Sequence, residues 1–184
     1  MKKAKRMSLA ENRQLQRSER QLTKNIRTSG LRIRNAIPKD GNCLFHAVAD
    51  QMDRVGEGGY DHVGLRSLAV NTLKDGLPGL TIDELSLTVP NNDYDSYLKN
   101  MSEDGTWGDQ LVLVALANAL GKTIRVVTST TDKESIEVFV ESENQQAEGA
   151  PLLLGNLTEN HYLSLEPIEN IFKGICPFTF KTKT

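Results

Sequence analysis

A chain of 184 residues has the length of one domain, and with 38% of its residues apolar it can close a real core. The longest apolar-leaning run, Leu111 to Leu120, is about half of what a bilayer span needs, and no apolar segment follows the N-terminal charges, so neither a membrane span nor a secretory signal is expected. The net charge is −2, and the two distant cysteines, Cys43 and Cys176, point away from a disulfide framework, which makes a reducing, cytoplasmic setting the simpler reading.

That small net charge conceals an asymmetry. Residues 1–34 hold eleven Lys or Arg against only Glu11 and Glu19, so a basic arm precedes an acidic body. Ser8 with Glu11 fits a capping box, and no Gly or Pro interrupts residues 9–27, which predicts a helix with a thin apolar stripe at Leu15, Leu22 and Ile26. Residues 1–30 are read as this arm, 31–168 as the main domain and 169–184 as a tail. Leu31 to Ile37 alternates apolar and basic residues and predicts a short strand. Pro38 to Asn42 reads as a turn, followed by a helix from Cys43 to about Arg54.

After the glycines at 56–59, a second helix is predicted from Asp61 to Lys74, with Leu65, Leu68, Ala69 and Leu73 on one face. Thr81 and Glu84 suit a short capped helix. Tyr94, Tyr97, Leu98 and Met101 recur at helical spacing. Thr106 and Asp109 can cap a helix that is apolar nearly all round, from about Trp107 to Leu120, with Gly121 as its stop. Thr123–Thr128, Ser135–Val140, Leu152–Leu154 and Tyr162–Leu165 read as strands, with a loop from Gly155 to Asn160. Helices first and strands mostly last describe an α+β domain.

Two segments carry chemistry. Asp40-Gly41-Asn42 delivers Cys43 to a helix start, where unpaired amides and the dipole favour thiolate. Much later, Asn160-His161-Tyr162 places a histidine at the head of a strand. A nucleophilic thiol needs a base brought beside it by the fold. The turn amides of Asp40, Gly41, Asn42 and Cys43 are natural donors to a developing oxyanion, with Gly41 allowing the sharp bend. His46, one helical turn beyond Cys43, and His62 read as packing or surface residues. The His and Cys positions lack zinc-type spacing, and no phosphate-binding glycine loop is present, so neither a metal nor a cofactor is expected.

Ile37-Pro38-Lys39-Asp40-Gly41-Asn42-Cys43-Leu44-Phe45 resembles the signature of the ovarian-tumour (OTU) family of cysteine proteases, which are deubiquitinases. Thr106-Trp107-Gly108-Asp109 with the following apolar run resembles that family's middle motif, and Asn160-His161-Tyr162 through Leu165 its histidine motif. The three stand in family order over residues 31–167. The resemblance implies a papain-like OTU fold, a small central β-sheet flanked by helices, with Cys43 as nucleophile and His161 as general acid and base. It implies hydrolysis of isopeptide bonds after the ubiquitin C-terminal Gly-Gly, with ubiquitin, polyubiquitin chains or ubiquitin-like modifiers as partners. Trp107, Gly108, Asn160 and Tyr162 would line a narrow channel for that tail.

One position departs from the family. Where many members carry an Asp or Asn two residues after the histidine, this chain has Leu163, which cannot orient an imidazole. Asp40 is the candidate substitute, with Asn35, Asn160 or a backbone carbonyl behind it. Leu163 also motivates an alternative, a weak or inactive ubiquitin-binding module of the same fold. A third reading gives the basic arm to nucleic acid, although few aromatic residues interleave with its charges to stack on bases.

Overall fold

A computed structural model describes residues 8–132, 136–142, 149–157 and 161–168. The first element, α1 (Leu9–Thr28), starts at the expected capping box: the Ser8 side chain accepts from the Glu11 N–H, and the Glu11 carboxylate accepts from the Ser8 N–H. Its narrow stripe is buried against the sheet rather than left for a partner. Leu22 and Ile26 pack with Leu31, Val127, Leu153, Leu157 and Leu165. Asn25 fixes the helix's position by donating through Nδ2 to the carbonyls of Thr128 (2.8 Å) and Thr130 (2.9 Å).

The chain continues as β1 (Leu31–Asn35), α2 (Cys43–Arg54), α3 (His62–Asp75), α4 (Ile82–Leu87), α5 (Tyr94–Ser102), α6 (Gln110–Leu120), β2 (Ile124–Thr128), β3 (Glu137–Val140), β4 (Leu152–Leu157) and β5 (His161–Pro167). The strands form one five-stranded sheet in the order β1-β5-β4-β2-β3, with β2 and β4 parallel and the other pairs antiparallel. The main core lies on the face opposite α1. There Leu44, Phe45, Val48 and Met52 of α2, Leu65, Ala69 and Leu73 of α3, and Val112, Leu113 and Leu116 of α6 pack on Ile124, Leu152 and Leu154. The architecture is the expected mixed fold, a small sheet with helices on both faces.

Two strands are longer than their sequence suggests. Gly155 and Asn156 read as loop residues, yet Gly155 sits inside β4 opposite Leu163, between β2 and β5. A Cβ there would stand in ordinary contact, 3.4–3.5 Å, with Leu163, Ile26 and Leu165 beneath α1. The start of α6 is also corrected: Trp107 and Gly108 precede the helix, and Asp109 is its cap, accepting from the Val112 N–H.

A buried glutamine joins the two elements that matter most. Gln51 of α2 donates through Nε2 to Ser164 Oγ and to the Leu165 carbonyl of β5, both at 2.7 Å. Its Oε1 accepts from the Leu153 N–H of β4 at 2.8 Å and from Arg54 Nε at 2.7 Å. Helix α2 is therefore fixed in register against β4 and β5.

Candidate active site

Cys43 is the first residue of α2, and the turn before it has an unusual construction. Gly41 has φ of +86°, and a Cβ on it would lie 1.9 Å from the Gly105 carbonyl oxygen. Glycine is needed there twice over, for the left-handed backbone and for the close approach of a second backbone. Asn42 occupies the N-cap position but makes no side-chain cap. Its side chain turns away instead: Nδ2 donates to Asp104 Oδ1 (3.0 Å), and Oδ1 accepts from the Gly105 N–H (3.1 Å) and from Arg66 Nη2 (2.5 Å). The first amides of α2 are thus left uncapped, and those of Leu44 and Cys43 face the Cys43 sulfur.

The thiol is only 5% exposed. Burial pushes its pKa up, against the opposing pull of the Tyr162 and Leu44 N–H groups, and the Asp40 charge adds to the rise. The expectation that the helix start would favour thiolate is therefore corrected. Desolvation outweighs the amide donors.

His161 opens β5 opposite Leu157 and is 7% exposed. Burial and the nearby Lys39 charge hold its pKa below the usual histidine value, while the Ile37 carbonyl and the Asp40 charge oppose them. Its Nδ1 is buried with no hydrogen-bond partner among the described residues. The Tyr162 N–H, one residue further along β5, faces the Cys43 sulfur. The start of α2 and the start of β5 therefore meet where the Tyr162 N–H faces the Cys43 sulfur, and His161, the residue just before that contact, lines a cavity with Ile37, Lys39, Leu157 and Leu163. These groups are suited to acyl transfer.

Other expected residues take different roles. Asp40 does not orient His161: its Oδ1 accepts from the Asn42 N–H at 2.8 Å and its Oδ2 pairs with His46 Nε2 at 3.0 Å. Burial opposes its ionisation, yet the Asn42 N–H and the His46 ring hold its carboxyl below the usual range. The same bond removes the Asn42 amide from the expected oxyanion donors, leaving those of Asp40, Gly41 and Cys43 as candidates. Asn35 is engaged by Asp50. Leu163 packs into the apolar cluster under α1. The group that faces the imidazole is the backbone carbonyl of Ile37.

Trp107 is 50% exposed rather than a core anchor. A Cβ on Gly108 would come within 2.5 Å of Leu44 Cδ2, so this glycine lets the loop settle against the first turn of α2. The Asp109 cap that follows is held by the Tyr97 hydroxyl, at 3.0 and 3.1 Å from its two oxygens. Tyr162 packs against the main core, and burial pushes its phenol pKa up to about 12. His46 stacks on His62 with ring centroids 4.3 Å apart. Asn160 and Cys176 lie outside the described residues. No three His, Cys, Asp or Glu side chains among the described residues are grouped so as to hold a metal ion.

Two residues that position the site carry no local signal. Gln51 lies in α2, and Arg66 follows Leu65 in α3 where the pattern suggests only a solvated flank. Both are buried, and their partners come from distant segments.

Comparison with known proteins places this geometry. The model of a family described as OTU-like cysteine protease matches residues 38–162. OVARIAN TUMOR DOMAIN-containing deubiquitinating enzyme 10 of Arabidopsis thaliana is 36% identical over 126 residues, covering 68% of this chain and 32% of its own length. Enzyme 9 of the same plant is 33% identical, with coverages of 86% and 42%. The chain thus spans less than half the length of these two relatives. Among solved structures, the OTUD1 OTU domain superposes with a TM-score of 0.63 at 21% identity, covering 85% of this chain and 99% of that one. An OTU deubiquitinase from Wolbachia pipientis bound to ubiquitin gives 0.55 at 15% identity, with coverages of 76% and 97%.

Proposed function

This chain belongs to the OTU-like cysteine protease family, and from that premise we propose that it is a deubiquitinase. Its substrate would be the isopeptide bond after the C-terminal Gly-Gly of ubiquitin, in chains or on other proteins. The observation that carries this reading is the meeting of α2 and β5: a buried thiol against the Tyr162 N–H, one residue along the chain from a histidine whose Nδ1 has no partner among the described residues.

The residues support a definite sequence of steps. Resting Cys43 and His161 are both neutral, so attack is concerted with proton removal. The sulfur bonds to the isopeptide carbonyl carbon as its proton passes to the imidazole, and the carbonyl π pair moves to oxygen. Turn amides of Asp40, Gly41 and Cys43 receive that oxyanion. Collapse breaks the C–N bond, and the proton on His161 goes to the departing amine. Water then attacks the thioester, giving a proton to His161. Loss of the Cys43 sulfur, reprotonated by the histidine, leaves a free ubiquitin carboxyl group. The Ile37 carbonyl steadies the imidazolium in both halves, the task the family usually assigns to the side chain at position 163.

Trp107, Gly108 and Tyr162 form the proposed walls of the tail channel. The exposed indole offers an apolar surface, and the glycine keeps the path beside Leu44 narrow. A free catalytic thiol suits a reducing compartment. Polyubiquitin linkage types and ubiquitin-like modifiers are further substrates to assay. The nucleic-acid reading loses ground because Arg32 and Arg34 at the end of the basic segment pair with Glu166 and Asp50 within the fold.

Incubation with a panel of diubiquitins and a Cys43→Ser control tests the proposal. Cleavage by the parent protein and none by the variant is expected. Turnover that survives the substitution, or its absence on every ubiquitin and ubiquitin-like substrate, overturns it.

A further inference from the structure

We propose that Arg66 is the positioning residue of the oxyanion turn, acting through Asn42 rather than on substrate. The inference deepens the acyl-transfer reading above and rests on it. Arg66 belongs to α3 and is 5% exposed. Its guanidinium stacks on the Phe45 ring of α2, 4.2 Å from the centroid. Nη2 donates to Asn42 Oδ1 (2.5 Å) and to the Thr106 carbonyl (2.7 Å), while Nη1 donates to the Met101 carbonyl (2.8 Å). One planar cation thus joins the helix that carries Cys43, the turn before it, and the loop leading to Trp107 and Gly108.

The placement explains why Asn42 is an N-cap that does not cap. Its carboxamide is clamped between Arg66 and Gly105 on the oxygen side and Asp104 on the nitrogen side. Were it released, the same side chain could fold back and accept from the free amides of α2, as asparagine does at most helix starts. That rearrangement would swing the turn amides of Asp40, Gly41 and Cys43 away from the oxyanion. The clamp also holds Gly105 against the turn, its carbonyl filling the space that a side chain on Gly41 would need. A lysine cannot replace this arrangement, because a single ammonium cannot reach three acceptors on two segments and stack on Phe45.

The consequence is specific. Loss of the guanidinium would weaken steps that build an oxyanion and spare reactions of the thiol that build none. The test compares Arg66→Lys, Arg66→Gln and Asn42→Ala with the parent protein. Folding is checked by thermal unfolding, and Arg66→Lys, which keeps the charge and most of the stem, stands in if Arg66→Gln does not fold. Three reactions are followed: alkylation of Cys43 by iodoacetamide, acylation by p-nitrophenyl acetate, and hydrolysis of a ubiquitin C-terminal fluorogenic amide.

For folded Arg66→Lys, kcat on the amide is expected to fall about 100-fold with KM within about threefold, the size seen when an oxyanion donor is misplaced. Acylation by the ester should fall in parallel, and alkylation should change less than about threefold. The double variant Arg66→Lys with Asn42→Ala should lose little more than the worse single, because the two act as one unit. Equal losses in alkylation and acylation, an unchanged kcat, or additive losses in the double variant overturn the proposal. Inactivity of the parent protein on ubiquitin amides would instead strike the deubiquitinase reading. The ester and alkylation rates would still decide the role of Arg66.

Discussion

His161 and Cys43 are each shifted by burial in the direction that keeps them neutral. The base must be neutral to accept the thiol proton, and a lowered histidine pKa extends that state to lower pH. The acid limb of kcat/KM on a ubiquitin amide should therefore fall below pH 6.5, with a plateau through pH 7. Iodoacetamide alkylation of the free protein should stay slow at neutrality and climb only above about pH 9, the ordinary thiol value. A steep acid limb above 6.5, or a thiol already fully reactive at pH 6, contradicts this assignment. Restoring the family's usual polar residue makes a second residue-scale prediction. Leu163 packs against Ile26 and Leu165 and lines the same cavity as His161. Leu163→Asn should lower stability by about 1 kcal/mol without raising kcat, since it takes a partly buried apolar contact from the cluster under α1 while the Ile37 carbonyl already faces the ring. A gain in kcat would show that the side chain, not the Ile37 carbonyl, can orient the ring. The placement of Cys43 at a helix start and His161 at a strand head was legible because a turn rich in Asp, Gly and Asn and an apolar strand behind a histidine are local signals. The direction of the burial shifts was not, because desolvation depends on what the fold places around a residue, and neither were the Asn42 and His46 contacts that engage Asp40 within the turn and the first turn of α2.

At the scale of elements, catalysis depends on holding the first residue of a helix against the first residues of a strand. Gln51 does this from two turns along α2, where it satisfies the Leu153 amide and the Leu165 carbonyl while meeting Ser164. Gln51→Leu leaves those groups buried and without Gln51 as a partner. It should destabilise the protein by about 2–4 kcal/mol in chemical denaturation and lower turnover more than that loss alone explains. A change of under about 1 kcal/mol would show that packing, not this side chain, sets the register. The helices were the most readable elements, since caps at Ser8, Thr81 and Asp109 announce their starts. The second half of β4 was not, because Gly155 and Asn156 carry a turn's composition and become strand only by pairing on both sides.

Over the whole molecule, the described part of the basic segment, residues 8–34, packs on the body. The buried face of α1 covers Val127, Leu153, Leu157 and Leu165, and Asn25 is tied to the end of β2. Deleting residues 1–28 should expose that face, lower the unfolding midpoint by several degrees and promote aggregation, with activity falling as folded protein is lost. A truncated protein of unchanged stability would return α1 to the role of an appended tail. The amphipathic stripe hinted at burial, but its few apolar positions could not say against what. Mass spectrometry after mixing the protein with ubiquitin bearing a C-terminal thiol-reactive warhead shows whether Cys43 is a nucleophile that takes the ubiquitin C-terminus as its acyl group. A single adduct of one ubiquitin on the parent protein, absent from Cys43→Ala, is the predicted result. No adduct on well-folded parent protein, or an adduct that persists in Cys43→Ala, would contradict it.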